Sequence, residues 1–275
     1  MPRKSYKRHY NRSKRSTYRK RRHSYKGGVE MQSRMRLQCH PHRGGEVKMQ
    51  SRMRLQCQCD PTCPHPPLPT SPFCAQHATS CPRKAPLSGS EPIYDPSAYN
   101  KYKGMKDAQN CFAYAFNYRK LPKSCTKRKC PEAFPQPGRK SGYPKWSNVD
   151  GKRCPDLMAR VLGDVPGITQ TTFIQKCPKR TYKIAMVTDE DQDYHFYRQD
   201  SNKYWSHKPG ATDVISRDAT DRPIYDPALA SRAYPTSGLD YDNFCGYMCV
   251  PATRKRITLR RSGGGGHPRY ASPPP

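Results

Sequence analysis

Asn110-Cys111-Phe112-Ala113-Tyr114-Ala115-Phe116-Asn117 reads as a short apolar helix with a cysteine at its start. The polar residues just ahead of the run, Asp107 and Asn110, suit a helix cap. Helix N-termini present free backbone N–H groups and a partial positive charge, which favour an anion such as a thiolate. About 84 residues downstream come Asp193-Tyr194-His195-Phe196-Tyr197-Arg198-Gln199 and Tyr204-Trp205-Ser206-His207-Lys208-Pro209-Gly210, joined by Asp200-Ser201-Asn202-Lys203. Aromatic-rich runs on either side of a polar turn predict a hairpin. Paired across that turn, His195 and His207 would share one sheet face.

The neighbouring sequence fits the same layout. Lys183-Ile184-Ala185-Met186-Val187-Thr188 has the composition of a buried strand, and Asp189-Glu190-Asp191 turns the chain into the His195 strand. Cys154 to Leu162 has helical periodicity, with Pro155 suited to a first turn. Asp164-Val165-Pro166-Gly167 is a turn, and residues 123–145 form a basic loop rich in Pro and Gly that holds Cys125 and Cys130. A helix followed by a small antiparallel sheet gives an α+β domain over residues 105–251.

Upstream, cysteines crowd into residues 57–81. Cys59, Cys63, Cys74 and His77 form two close pairs separated by a proline-rich loop, a spacing that suits a structural tetrahedral zinc knuckle. Cys57 and Cys81 compete for the same role. Thirteen cysteines is an odd number, and the metal-type spacing leads to the expectation that most are reduced thiols and zinc ligands. Residues 82–104, with Pro86, Pro92 and Pro96, read as an extended linker.

The termini have another character. Residues 1–28 contain twelve cations and no acid: Arg3, Lys4, Lys7, Arg8, Arg12, Lys14, Arg15, Arg19, Lys20, Arg21, Arg22 and Lys26. Tyrosines and serines are interleaved among them, and no apolar periodicity offsets the entropy of folding, so a disordered tail is expected. Residues 29–56 hold a duplicated unit, Val29 to Cys39 repeated as Val47 to Cys57, each copy preceded by a Gly-Gly pair. Residues 252–275 read as a second disordered basic tail. The net charge of +30 calls for a polyanion, and the tails suit DNA or RNA, bound non-specifically through phosphates with tyrosines stacking on bases. An anionic membrane surface is the weaker alternative. No apolar run is long enough for a membrane span, and no apolar stretch follows the basic start as a secretory signal would require.

The chemistry expected of the central domain is thiol catalysis. Cys111 is the nucleophile, His195 its base and His207 the group that orients the base, with the Cys111 N–H and the amides of Gln109 or Asn110 as oxyanion donors. Paired-carboxylate and P-loop signatures of nucleic-acid enzymes are missing. A cysteine on a helix followed by two strand-borne histidines resembles the NlpC/P60 branch of papain-like cysteine hydrolases, a resemblance that implies amide-bond cleavage. Met105 stands where papain-like proteases place a glutamine. Cys111 to Ala115, Phe73 to His77 and Phe244-Cys245-Gly246-Tyr247-Met248-Cys249-Val250-Pro251 also resemble phrases in uncharacterised proteins of giant DNA viruses and phages. That likeness implies a viral peptidase or amidase in the virion, host cytoplasm or viral factory, alongside virion proteins. The alternative is a non-catalytic virion or DNA-associated protein that keeps the fold.

Overall fold

The computed structural model describes residues 56–253, apart from 61, 82 and 146–151, together with Leu259. The basic tail at 1–28 with its twelve cations, nearly all of the duplicated segment at 29–56 and nearly all of the tail at 252–275 lie outside the described residues.

The frame is an antiparallel sheet of five strands: β1 (Thr169–Thr171), β2 (Thr181–Asp189), β3 (Asp193–Gln199), β4 (Trp205–Ser206) and β7 (Asn243–Pro251). Their order is β1-β7-β2-β3-β4, so the last strand inserts between the first and second. A separate hairpin pairs β5 (Ala233–Tyr234) with β6 (Leu239–Asp240). Every residue of β2 after Thr181 is buried, because both faces of the sheet are covered. Ile184 and Met186 point to one face and pack with Phe196, Met248 and Val250. Ala185 and Val187 point to the other, with Tyr197, Trp205 and Tyr247.

Helices cover the first face. Those packed on it are α3 (Cys111–Ala115) and α4 (Cys154–Asp164), and α1 (Ser97–Asn100) and α2 (Lys103–Ala108) precede them in the chain. Helix α3 places Phe112 and Phe116 against Phe196, and α4 adds Leu157 and Val161. Pro155 lies in the first turn of α4, and Asp156 pairs with Arg160 one turn later at 2.8 Å. At its C-terminus Asp164 accepts from the N–H groups of Gly138 and Ser141 at 2.7 and 2.8 Å, tying down the basic loop. Gly138 has φ +83°, and a Cβ there would come within 2.7 Å of Arg160 and Tyr143, so only glycine fits.

Covering the second face are the cysteine-rich segment and the loops after β4. Cys57, Cys59 and Cys74 are fully buried beside Tyr225 and Tyr247. The segment at 82–104, expected as a linker, is instead part of the packed body. Tyr99 is fully buried against Tyr114 and Val214, and its burial fixes α1. Pro92–Pro96 and its echo Pro223–Pro227 share one local device. Asp95 accepts from the Ser97 hydroxyl at 2.6 Å and Asp226 from the Ala228 N–H at 2.9 Å, each closing the Asp-Pro turn.

Most of the described cysteines are disulfide-bonded, which corrects the expectation of reduced thiols. The pairs are Cys59–Cys81, Cys125–Cys130, Cys154–Cys245 and Cys177–Cys249. Two of them tie β7 to segments 91 and 72 residues earlier. Insertion of β7 into the middle of the sheet brings those partners together. Cys57, Cys63, Cys74 and Cys111 are free.

Candidate active site

Cys111 is the first residue of α3, and the Asn110 side chain caps the helix by accepting from the Ala113 N–H at 3.1 Å. Strand β4 pairs only with Arg198 and Gln199 of β3, so among the described residues the N-terminal half of β3 has no strand partner on that side. The start of α3 closes this edge. The Cys111 thiol lies 3.9 Å from the Tyr194 carbonyl, and the Phe196 N–H also faces the sulfur. These two backbone groups flank His195.

His195 follows Tyr194 on β3 and shares the sheet face of Tyr197. His207 follows β4 on the same face. The two rings meet, with His195 Nε2 and His207 Nδ1 2.7 Å apart. His207 Nε2 lies 2.9 Å from the Arg217 carbonyl, which can only accept. Nε2 of His207 therefore carries the hydrogen, its Nδ1 is bare, and His195 donates from Nε2. Nδ1 of His195, the ring nitrogen nearer the main chain, is left as the basic atom. Cys111, His195 and His207 all line one cavity of about 900 Å³, walled in part by Lys152, Tyr194 and Tyr241.

Burial sets the electrostatics of this group. It holds His195 well below the ordinary histidine range, and the neighbouring His207 adds to the effect. It brings His207 down to about 4, although the hydrogen bond to Arg217 works the other way. Both rings are neutral at pH 7. The Cys111 thiol is only 5% exposed, and burial raises its pKa, with Asp193 adding to the rise. The Phe196 and Phe112 amides and the Lys208 ammonium oppose burial without overcoming it. The lowered thiol expected at a helix start is thus reversed, because a five-residue helix cannot outweigh complete desolvation.

The expected oxyanion amides have other partners. Gln109 donates from its side chain to the Lys120 carbonyl at 2.7 Å and does not line the cavity. Asn110 Nδ2 donates to the Pro135 carbonyl at 3.0 Å and to the Tyr194 hydroxyl at 3.3 Å. The Cys111 N–H, at the first helical position, has no acceptor within the helix. Lys208 escaped the sequence reading, although its place beside His207 was a signal. Its ammonium is buried and donates to the carbonyls of Lys106, Gln109 and Gly210. Arg217 acts through its carbonyl, which any residue could supply, so no sequence signal marks it.

The second constellation lies across the sheet from α3. Cys57, Cys63, Cys74 and His77 bring one donor atom each within 4.8 Å of one another, so a single metal ion could touch all four. Cys59, expected in this set, is bonded to Cys81, and Cys57 takes its place. Cys57 Sγ lies 3.3 Å from His77 Nδ1. The Cys74 N–H donates to Cys57 Sγ at 3.3 Å. Among the described residues no helix is long and apolar enough to cross a membrane.

Fold and site together define a disulfide-bonded α+β domain in which a buried cysteine and a histidine pair line one cavity and a Cys3His cluster lies across the sheet. The chain is 34% identical over 142 residues to insoluble matrix shell protein 1 of Ruditapes philippinarum, and the match covers 51% of this chain and 78% of that protein. It belongs to the same family. No family model matches the chain, and no solved structure matches it.

Proposed function

We propose that this chain is a cysteine hydrolase of papain-like, NlpC/P60-like layout that cleaves amide bonds. The observation that carries the reading is the 2.7 Å contact of His195 with His207 in the same cavity as the Cys111 thiol. Thiol and imidazole are both neutral at rest, so the proton moves as attack begins. Cys111 Sγ bonds to the substrate carbonyl carbon while His195 Nδ1 takes the thiol proton. The imidazolium that forms keeps its Nε2–H on His207 Nδ1, and Arg217 holds His207 in the accepting tautomer. Developing oxyanion charge falls to the Cys111 N–H. Collapse passes the proton from His195 to the leaving amine, and water releases the acyl group from sulfur.

The test is turnover of a mixed amide and peptide library, combined with alkylation of Cys111 by iodoacetamide across pH, read by mass spectrometry. Cys111→Ala should abolish turnover and leave the fold intact. Alkylation should become fast only above pH 8, as the raised thiol requires, and His195→Ala should abolish turnover as Cys111→Ala does. Full turnover without Cys111, or full turnover without His195, would overturn the reading.

A non-catalytic matrix protein is the second reading, and the name of the Ruditapes philippinarum relative favours it. Four disulfides support an oxidising setting over a reducing cytoplasm for either reading. We assign zinc to the Cys3His cluster. Three thiolates and an imidazole suit it, and the Sγ–Sγ and Sγ–Nδ1 contacts of 3.3–3.4 Å approach the ~3.6 Å edges of a zinc tetrahedron. For the +30 charge we keep a polyanion such as DNA or RNA as partner, held by the tail at 1–28. Deleting that tail should flatten the salt dependence of binding, by about 0.9 in log–log slope per lost phosphate contact.

A further inference from the structure

Gln58 stands between two anchored cysteines. Cys57 belongs to the metal cluster, and Cys59 is bonded to Cys81. The Gln58 side chain is 1% exposed and reaches across 160 residues of sequence to the loop after β4. Its Nε2 donates to Asp218 Oδ2 at 3.3 Å. Its Oε1 accepts from the N–H groups of Tyr225 and Asp226 at 2.6 and 3.1 Å. Asp218 closes the loop on itself, accepting at Oδ1 from the N–H groups of Thr220 and Arg222 at 2.9 and 3.0 Å. The residue before Asp218 is Arg217, whose carbonyl fixes the hydrogen on His207 Nε2.

We propose that Gln58 is a positioning residue for the histidine pair, through which metal occupancy of the Cys3His cluster sets the His207 tautomer. Each link has a reason. A metal bound by Cys57, and the disulfide of Cys59, hold the main chain on both sides of Gln58. With the backbone fixed, the amide spans Asp218 and the Tyr225–Asp226 peptide and sets the position of the Arg217 carbonyl. That carbonyl decides which nitrogen of His207 is bare, and hence whether His195 points its free lone pair away from His207. Losing the metal frees Cys57, Gln58 loses its register, and His207 divides between tautomers. With Nδ1–H on His207, the 2.7 Å contact survives only if His195 accepts at Nε2, which moves the His195 hydrogen to Nδ1 and removes its basic atom. The metal cluster therefore acts on the far side of the sheet from α3 without touching substrate.

The consequence for catalysis rests on the hydrolase reading, but the test does not. The imidazole nitrogens of the full chain are read by ¹⁵N NMR, zinc-loaded, after EDTA dialysis and after re-addition of Zn²⁺, in the parent, Gln58→Ala and Gln58→Glu. The parent with zinc should show a single Nε2–H tautomer for His207, lost on chelation and regained with Zn²⁺. Gln58→Ala should lose it even with zinc bound. Gln58→Glu keeps the acceptor for Tyr225 and Asp226 but sets a carboxylate against Asp218, and it should lose the tautomer too. If the alanine variant does not fold, the chelation series and the glutamate variant decide. An unchanged His207 tautomer in folded, metal-free parent or in folded, zinc-loaded Gln58→Glu overturns the proposal. Turnover that survives with an unchanged tautomer sinks this inference alone, whereas a metal-responsive tautomer in a chain without turnover sinks only the hydrolase reading.

Discussion

Lys208 Nζ donates to the Gln109 carbonyl at 2.7 Å, two residues ahead of the Cys111 thiol. The same ammonium reaches the Lys106 carbonyl at 2.9 Å and the Gly210 carbonyl at 2.5 Å, so all three of its hydrogens are used. It thereby joins the end of α2 to the segment after His207 and fixes the distance between the two parts of the site. Burial brings its pKa down to about 8, with Cys111 among the groups that oppose the drop.

Lys208→Met should therefore act on both stability and the thiol. Three carbonyls, that of Gln109 buried, lose their donor, while the cost of burying a charge disappears, and the net loss is about 2 kcal/mol. Urea denaturation at pH 7 measures this. Removal of a cation that favours the thiolate makes it harder to form, so Cys111 alkylation should shift to higher pH. Unchanged stability together with an unchanged alkylation profile would remove Lys208 from the site.

The Cys3His cluster gives a sharper test, because two neighbouring cysteines have different partners. Cys57→Ser or Cys63→Ser should release the metal, and Cys59→Ser should retain it at one ion per chain, since Cys59 is bonded to Cys81. Elemental analysis of the purified variants reads the result. Metal lost from Cys59→Ser and kept in Cys57→Ser would reverse the assignment.

What the sequence made legible was local. Cys111 at a helix start and the two histidines on one hairpin face follow from short-range spacing, and the twelve-residue interval between His195 and His207 suffices to bring them together. Cys57 and Cys59 differ by two positions, so spacing could not separate a ligand from a disulfide partner. Only the contact with His77 on one side and Cys81 on the other distinguishes them. The bonds of Cys154 and Cys177 to β7 depend on where the last strand inserts, a choice made by tertiary packing. The raised pKa of Cys111 was hidden for the same reason. Helix position is visible in a sequence, but complete desolvation requires the neighbours on β3.

Disulfide loops of different length should contribute unequally. Cys177–Cys249 closes a span of 72 residues and Cys125–Cys130 a span of 5. On the chain-entropy estimate, removing the first costs about 4 kcal/mol and removing the second about 2 kcal/mol. Paired Cys→Ala variants followed by urea denaturation test this ranking. Equal losses would mean that the constraint on the unfolded chain is not what these bonds supply.

Acid should weaken the fold through the histidine pair. The folded-state pKa of His207 is about 4, against 6.5 for an unburied histidine, and His195 is also well below 6.5. As pH falls through 6.5 the unfolded chain takes up protons at both rings and the folded chain does not, so stability drops with pH. For His207 alone the loss by pH 5 is about 2 kcal/mol. Burial raises Asp193, Asp200 and Asp226, so at lower pH the folded state gains protons first and the trend is offset. Between pH 7 and 5 the His207→Asn comparison separates the histidine contribution from that of these carboxylates. Urea midpoints at those two values should fall in the parent and fall less in His207→Asn. An equal fall in both would show that the 2.7 Å pair titrates as ordinary solvent-exposed histidines do, and its neutrality at rest would have to be abandoned.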